Sequence, residues 1–155
     1  MSERTQPTLS ILLVEDSDED YTALVRALRN AVVTVSLPRC TRGEEALDYL
    51  YRRGSFKLRA EGNPVVVLLD LKMPKVDGLQ VLRQIRMDEQ LKTIPVVVLT
   101  SSREERDLVD SYKLGANAYV VKPVDFHEFV NAIKQLGIFW VVINEPPPGS
   151  IGKAM

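Results

Sequence analysis

The sequence predicts an α/β fold, a five-stranded parallel sheet with helices on both faces. Two observations carry that expectation. Five short apolar runs alternate with segments of helical periodicity, and such alternation implies right-handed crossovers and a parallel sheet. One run, Val65–Leu69, is unbroken Val and Leu, as a strand buried on both faces requires.

The elements follow in order. Leu9 to Val14 (LSILLV) reads as the first strand. A helix is expected from Ser17 to about Asn30, with Tyr21, Leu24, Val25 and Leu28 on one face. Ser17 with Asp20 resembles a capping box, and the acidic SDED suits the positive end of that helix. Val32 to Leu37 alternates as a second strand nearer the sheet edge would. Arg42 to Arg53 repeats the helical spacing through Ala46, Leu47, Leu50 and Tyr51, and stops at Gly54. The third unit is Val65–Leu69 followed by a helix from Asp77 to about Met87. The fourth is Pro95–Leu99 with a helix from Arg103 to Leu114. The fifth is Ala118–Val121 with a helix from Asp125 to about Val142. Residues 1–8 are expected to form a tail, 9–143 one domain, and 144–155 a Pro-rich tail that is mobile.

Composition narrows the function. Apolar residues make up 45% of the 155-residue chain and charged residues 26%, an ordinary globular balance. Twenty basic against 21 acidic residues leave a net charge of -1, which offers no electrostatic grip on nucleic acid or anionic lipid. The lone Cys40 excludes an internal disulfide and a cysteine zinc site. MSERTQPT has no apolar core of a signal peptide, and no apolar stretch reaches membrane-spanning length, so a cytoplasmic location is expected.

Ligands of open parallel sheets bind outside the C-terminal strand ends, where the winding reverses. The residues after each run are Glu15 and Asp16, then Asp70, then Thr100 and Ser101, then Lys122 and Pro123. If the strand order is 2-1-3-4-5, the first and third strands are neighbours at the reversal, and three carboxylates share one crevice with a hydroxyl and an ammonium. Three clustered acids repel unless a cation sits among them. Oxygen donors that leave room for water and phosphate suit Mg²⁺, or Mn²⁺, better than zinc or caged Ca²⁺. A lysine and a threonine beside them are what two phosphoryl oxygens need.

These residues resemble the receiver domain of two-component response regulators. The likeness spans residues 9 to 138 and rests on ILLVEDSDED, LLDLKMPKVDG, PVVVLTSS and AYVVKP, in order. It implies a CheY-like, flavodoxin-like sheet of order 2-1-3-4-5, with Asp70 accepting phosphate from a sensor histidine kinase. It implies a Mg²⁺ site from Glu15, Asp16, Asp70 and the backbone carbonyl of Lys72. Thr100 and Lys122 would contact the phosphoryl group, Tyr119 would turn inward with Thr100, and Pro123 would follow a cis peptide. The longer segment from Tyr51 to Asn63 and the end FWVVINEPPP resemble the small regulators paired with cyanobacterial and bacterial phytochromes.

Each residue also has a plainer reading. Asp70 alone would be a turn residue, Glu15 and Asp16 helix-end acids, Thr100 a cap, Tyr119 strand packing. Their joint register favours the site. His127 reads as a surface residue, and Arg52, Arg53, Lys57 and Arg59 as a solvated basic cluster. Phe139 to Ile143 is five apolar residues in a row, more than one helix face buries. Phe139, Trp140 and Val142 are therefore expected in a homodimer contact involving the last helix, on the face of helix four, strand five and helix five.

The chain is expected to be a phosphoacceptor, not an enzyme, signalling through protein contacts without a DNA-binding output domain. The alternative is an unphosphorylated pseudo-receiver module. A haloacid-dehalogenase-like phosphatase would want a second Asp where Lys72 stands. A flavin protein would want a phosphate cradle where EDSDED stands, and a Walker loop is absent.

Overall fold

The computed structural model describes residues 9–31, 34–123 and 125–151. Five parallel strands, β1 (Ile11–Val14), β2 (Arg39–Cys40), β3 (Val66–Leu69), β4 (Val96–Thr100) and β5 (Ala118–Val121), lie in the order β2-β1-β3-β4-β5. They alternate with α1 (Asp18–Ala31), α2 (Gly43–Tyr51), α3 (Gly78–Met87), α4 (Glu105–Lys113) and α5 (Phe126–Gly137). The expected tail 1–8 lies outside the described residues.

The period-two pleat sorts the strand side chains into two cores. Leu12, Val14, Val67, Leu69, Val96 and Val98 pack with Ala46 and Leu50 of α2 and Val81, Leu82 and Ile85 of α3. Ile11, Leu13, Val66, Leu68, Val97 and Leu99 pack with Leu24 and Leu28 of α1 and Phe129 and Ile133 of α5. A fully buried side chain such as Ile133 contributes about 1.5–3 kcal/mol by leaving water. Burial on both faces explains why the inner strands read as unbroken apolar runs.

The second strand is displaced from its expected position. Regular pairing falls at Arg39–Cys40, not over 32–37, and Val32 and Val33 lie outside the described residues. Ser36, Pro38 and Cys40 each accept through the carbonyl from the amides of Ile11, Leu13 and Glu15, at 2.9, 2.9 and 3.0 Å. An edge strand needs no donor on its outer side, and the inner ladder here asks Pro38 only for its carbonyl.

The last helix also differs. Its α-helical part ends at Gly137, and Ile138–Ile143 continues as a wider π-helical segment. The Pro-rich stretch does not trail free: Asn63 N–H donates to Gly149 O at 2.9 Å, Ile151 N–H to Asn63 O at 2.8 Å, and Ile151 is buried. The chain thus returns to the N-terminal edge of the sheet and straps the long connection before β3.

At that edge Arg86 of α3 ties three segments together. Its guanidinium donates to Gly115 O (3.0 and 2.8 Å), Lys92 O (2.9 Å), Ile94 O (2.8 Å) and Asn117 Oδ1 (2.9 Å). Asn117 Oδ1 also accepts from Val96 N–H at 2.8 Å. The starts of β4 and β5 are therefore pinned from below.

Candidate phosphoryl and metal site

The C-terminal strand ends converge as the sequence predicts. Parallel pairing of β1 with β3, Val14 opposite Leu69, places Glu15 and Asp16 beside Asp70. Oxygens of Glu15, Asp16 and Asp70 lie within 4.8 Å of one another. Asp70 holds its place through its amide, which donates to Val14 O at 3.0 Å. Its Oδ1 accepts from the Lys72 amide at 3.2 Å, folding the following turn back over the carboxylate.

Lys122, the residue after β5, reaches across this cluster. Its Nζ lies 2.5 Å from Glu15 Oε1, 2.8 Å from Asp20 Oδ2 and 3.5 Å from Asp70 Oδ2. Its amide donates to Thr100 O at 2.8 Å, so pairing of the last two strands aims the side chain. The peptide before Pro123 is trans, against the cis bond expected: no cis peptide occurs among the described residues. Trans is the favoured form of an X–Pro bond, and here the strand pairing and the three carboxylates orient Lys122 without the cis form.

Electrostatics follow from burial. Burial pushes the Glu15 carboxyl up to about 7, against the downward pull of Lys122. Burial by itself would lower the Lys122 ammonium, but hydrogen bonds to Asp20 and Glu15 and the charge of Asp70 outweigh it and hold it above its ordinary value. One ammonium thus faces Glu15, Asp20 and Asp70, with the exposed Asp16 alongside. The negative excess and the all-oxygen donor set fit a hard divalent cation.

The hydroxyl side is layered. Thr100 is fully buried, and its Oγ1 accepts from the Ser102 amide at 3.3 Å. Tyr119 is half-buried and its hydroxyl donates to Ser102 O at 3.1 Å. Ser102 Oγ donates to Asp107 Oδ2 at 2.6 Å, and Lys72 Nζ meets that same oxygen at 3.2 Å.

Two contributors were not singled out from the sequence, Asp107 and, as a partner of Lys122, Asp20, while Ser102 acts as a hydrogen-bond hub. Asp20 was expected to close a capping box. Only half forms: Ser17 Oγ accepts from the Asp20 amide at 3.2 Å, while the Asp20 carboxylate goes to Lys122. The Ser17 amide donates instead to Glu15 Oε2 at 3.2 Å. The signal was an acid in the first turn of a helix that starts at the strand ends, where it faces the site as well as the helix dipole.

Phe139 and Val142 are exposed on the π-helical segment, whereas Trp140 packs partly against the α1/α5 core and edge-on to Phe139, with centroids 5.0 Å apart. Leu108, Val109 and Tyr112 of α4 are also exposed. No described helix is long and apolar enough to cross a membrane.

Comparison with known proteins agrees with this geometry. The family model for the response regulator receiver domain matches residues 11–134. Response regulator Rcp1 of Synechocystis sp. is 35% identical over 141 residues, covering 91% of this chain and 95% of that protein. A structure of the Mn²⁺-bound form of Rcp1 superposes with a TM-score of 0.84 at 34% identity, covering 90% of this chain and 99% of that one. The phosphorylated cyanobacterial phytochrome response regulator RcpA gives a TM-score of 0.85 at 36% identity, covering 90% and 99%. The bacteriophytochrome response regulator RtBRR is 57% identical, with a TM-score of 0.72 and coverage of 92% and 86%. A sheet of order 2-1-3-4-5, an acid cluster facing a lysine, and a family match across most of the chain lead to one conclusion: this protein belongs to the response regulator receiver domain family of two-component signalling.

Proposed function

We infer that this chain is a phosphoacceptor that takes a phosphoryl group on Asp70 from a phosphohistidine of a sensor kinase. The observation that carries the reading is the cluster in which buried Asp70 and Glu15 and exposed Asp16 come within 4.8 Å while Lys122 Nζ spans Glu15 and Asp70. In the reaction an Asp70 oxygen forms a bond to phosphorus as the phosphorus–nitrogen bond breaks, and the leaving imidazole takes up a proton. Lys122 offers positive charge to one phosphoryl oxygen and the Thr100 hydroxyl a hydrogen bond to another. Glu15, Asp16, Asp70 and the Lys72 carbonyl would hold a Mg²⁺ or Mn²⁺ ion, which when bound neutralises charge on the transferring group.

The resemblance to RcpA and RtBRR supports a phytochrome-type kinase as the donor, a partnership consistent with a cytoplasmic location. Output is by altered protein contact: Thr100 moves toward the phosphoryl group, Tyr119 follows, and the face of α4, β5 and α5 changes its affinity for a partner. The exposed Phe139 and Val142, with Trp140 at their base, fit a homodimer contact continuous with that face.

Intact mass after incubation with acetyl phosphate and Mg²⁺ tests the reading. Wild type gains about 80 Da, one phosphoryl group; Asp70→Asn and an EDTA-treated sample do not. No adduct, with beryllofluoride also failing to bind, would replace the phosphoacceptor by an unphosphorylated interaction module.

A further inference from the structure

We propose that Asp107 is a positioning residue for the phosphoryl site: its carboxylate latches Ser102 onto Thr100, and releasing that latch favours the phosphorylated conformation. The inference rests on Asp70 being the phosphoacceptor and adds a restraint to it.

Asp107 sits in the first turn of α4, with its side chain only 13% exposed. One of its oxygens, Oδ2, receives both the Ser102 hydroxyl and the Lys72 ammonium. Through these two contacts Asp107 joins the turn after Asp70 to the loop after Thr100.

Ser102 is the hub through which that oxygen reaches the site. It is buried, and each of its polar groups is engaged. Its amide donates to Thr100 Oγ1, its hydroxyl donates to Asp107 and accepts from the Glu104 amide at 3.3 Å, and its carbonyl accepts from the Tyr119 hydroxyl. Thr100 and Tyr119 are therefore both fastened to one residue, and Asp107 anchors it. A phosphoryl group on Asp70 draws Thr100 toward it. Thr100 cannot go without stretching its contact to the Ser102 amide, so a firmer anchor raises the free energy of the phosphorylated conformation. The Lys72 pair strengthens the anchor from the side of Asp70 itself.

The test is the affinity of the full-length chain for beryllofluoride with Mg²⁺, read by ¹⁹F NMR, alongside amide hydrogen exchange of the metal-free protein. Asp107→Asn removes the charge and is expected to tighten beryllofluoride binding about fivefold, the low end of typical conformational coupling. In the metal-free protein the Ser102 and Glu104 amides exchange faster, while Leu68 and Val97 in the central strands keep their wild-type protection. Ser102→Ala leaves Asp107 in place but removes the hydroxyl between them. It shifts affinity in the same direction, and the double variant gains nothing beyond the larger single effect. Equal affinity in wild type and both single variants overturns the latch while leaving the phosphoacceptor intact. A wild type that binds no beryllofluoride overturns the phosphoacceptor and the latch with it.

Discussion

Gly78→Ala joins the packing of the fold to the placement of Asp70, the proposed phosphoacceptor. Gly78 is the first residue of α3, and its amide donates to Leu71 O at 3.1 Å. A Cβ built there would stand 2.7 Å from the Leu71 Cα, and closer still to the carbonyl oxygen of Asp70. Ordinary contact begins near 3.4 Å, so the Leu71 Cα would have to retreat by about 0.7 Å and the Asp70 carbonyl oxygen by more. No flexible side-chain end can yield in its place. Overpacking of this kind costs about 1–3 kcal/mol, and the better helix propensity of alanine returns at most about 1. A net loss of about 1–2 kcal/mol, at an m-value of about 2 kcal/mol/M in urea, lowers the unfolding midpoint by about 0.5–1 M. The displaced atoms belong to Asp70 and its neighbour, so phosphoryl uptake from acetyl phosphate falls about tenfold or more, as misplacements of this size do. Gly149→Ala is the control. It has nothing within 4 Å and φ of +93°, so it costs about 1 kcal/mol of backbone strain without touching uptake. A Gly78→Ala protein with wild-type midpoint and wild-type uptake refutes the claim that α3 is seated against the Asp70 backbone.

Other predictions concern separate parts of the molecule. Asp77 caps α3 reciprocally with Gln80, at 3.0 and 2.9 Å, so Asp77→Ala should lower stability by about 1 kcal/mol, visible as a drop of a few degrees in Tm. Burial pushes the Cys40 thiol up to about 12, so it should resist a thiol reagent at pH 8 until the protein is unfolded in guanidinium. Because the folded state holds this proton more tightly, its contribution is constant below about pH 9 and declines as pH rises toward 12; a rise in stability over that window would contradict the burial argument. Ile151→Ala empties the seat of the strap, with an expected loss of about 1–2 kcal/mol and faster proteolytic cleavage around residues 57–62. Unchanged cleavage would mean the strap does not hold that connection.

The legible parts of the fold were those where one physical rule dominated. Val65–Leu69 and Val96–Leu99 could only be inner strands, because nothing but double burial makes use of such runs. Placing Glu15, Asp16, Asp70 and Lys122 together needed no further information than the strand ends and the order of the sheet. The second strand was obscured by Pro38, which argues against a strand in any window that includes it. Only the ladder shows that its carbonyl alone is needed. Asp20 illustrates a different limit: an acid in a first helical turn has a sufficient local explanation, so its reach to Lys122, 102 residues away, leaves no local trace. Ser102 and Asp107 depend likewise on how a loop turns back. Gly137 and the apolar residues after it continued a helical pattern, and periodicity does not separate an α-turn from a π-turn.

Arg86 fixes the mechanics of the whole sheet. By gripping Lys92, Ile94, Gly115 and Asn117 at once, it fastens the lower ends of β4 and β5 to α3. Among the described residues, the opposite ends, which carry Thr100 and Lys122, have no comparable clamp beyond the small network around Ser102 and the acids. A rod held at one end does not slide; it pivots, and displacement grows with distance from the fulcrum. If Thr100 moves as proposed, its motion would therefore stay in the upper half of the molecule, nearest α4, while the lower half would serve as a fixed bearing.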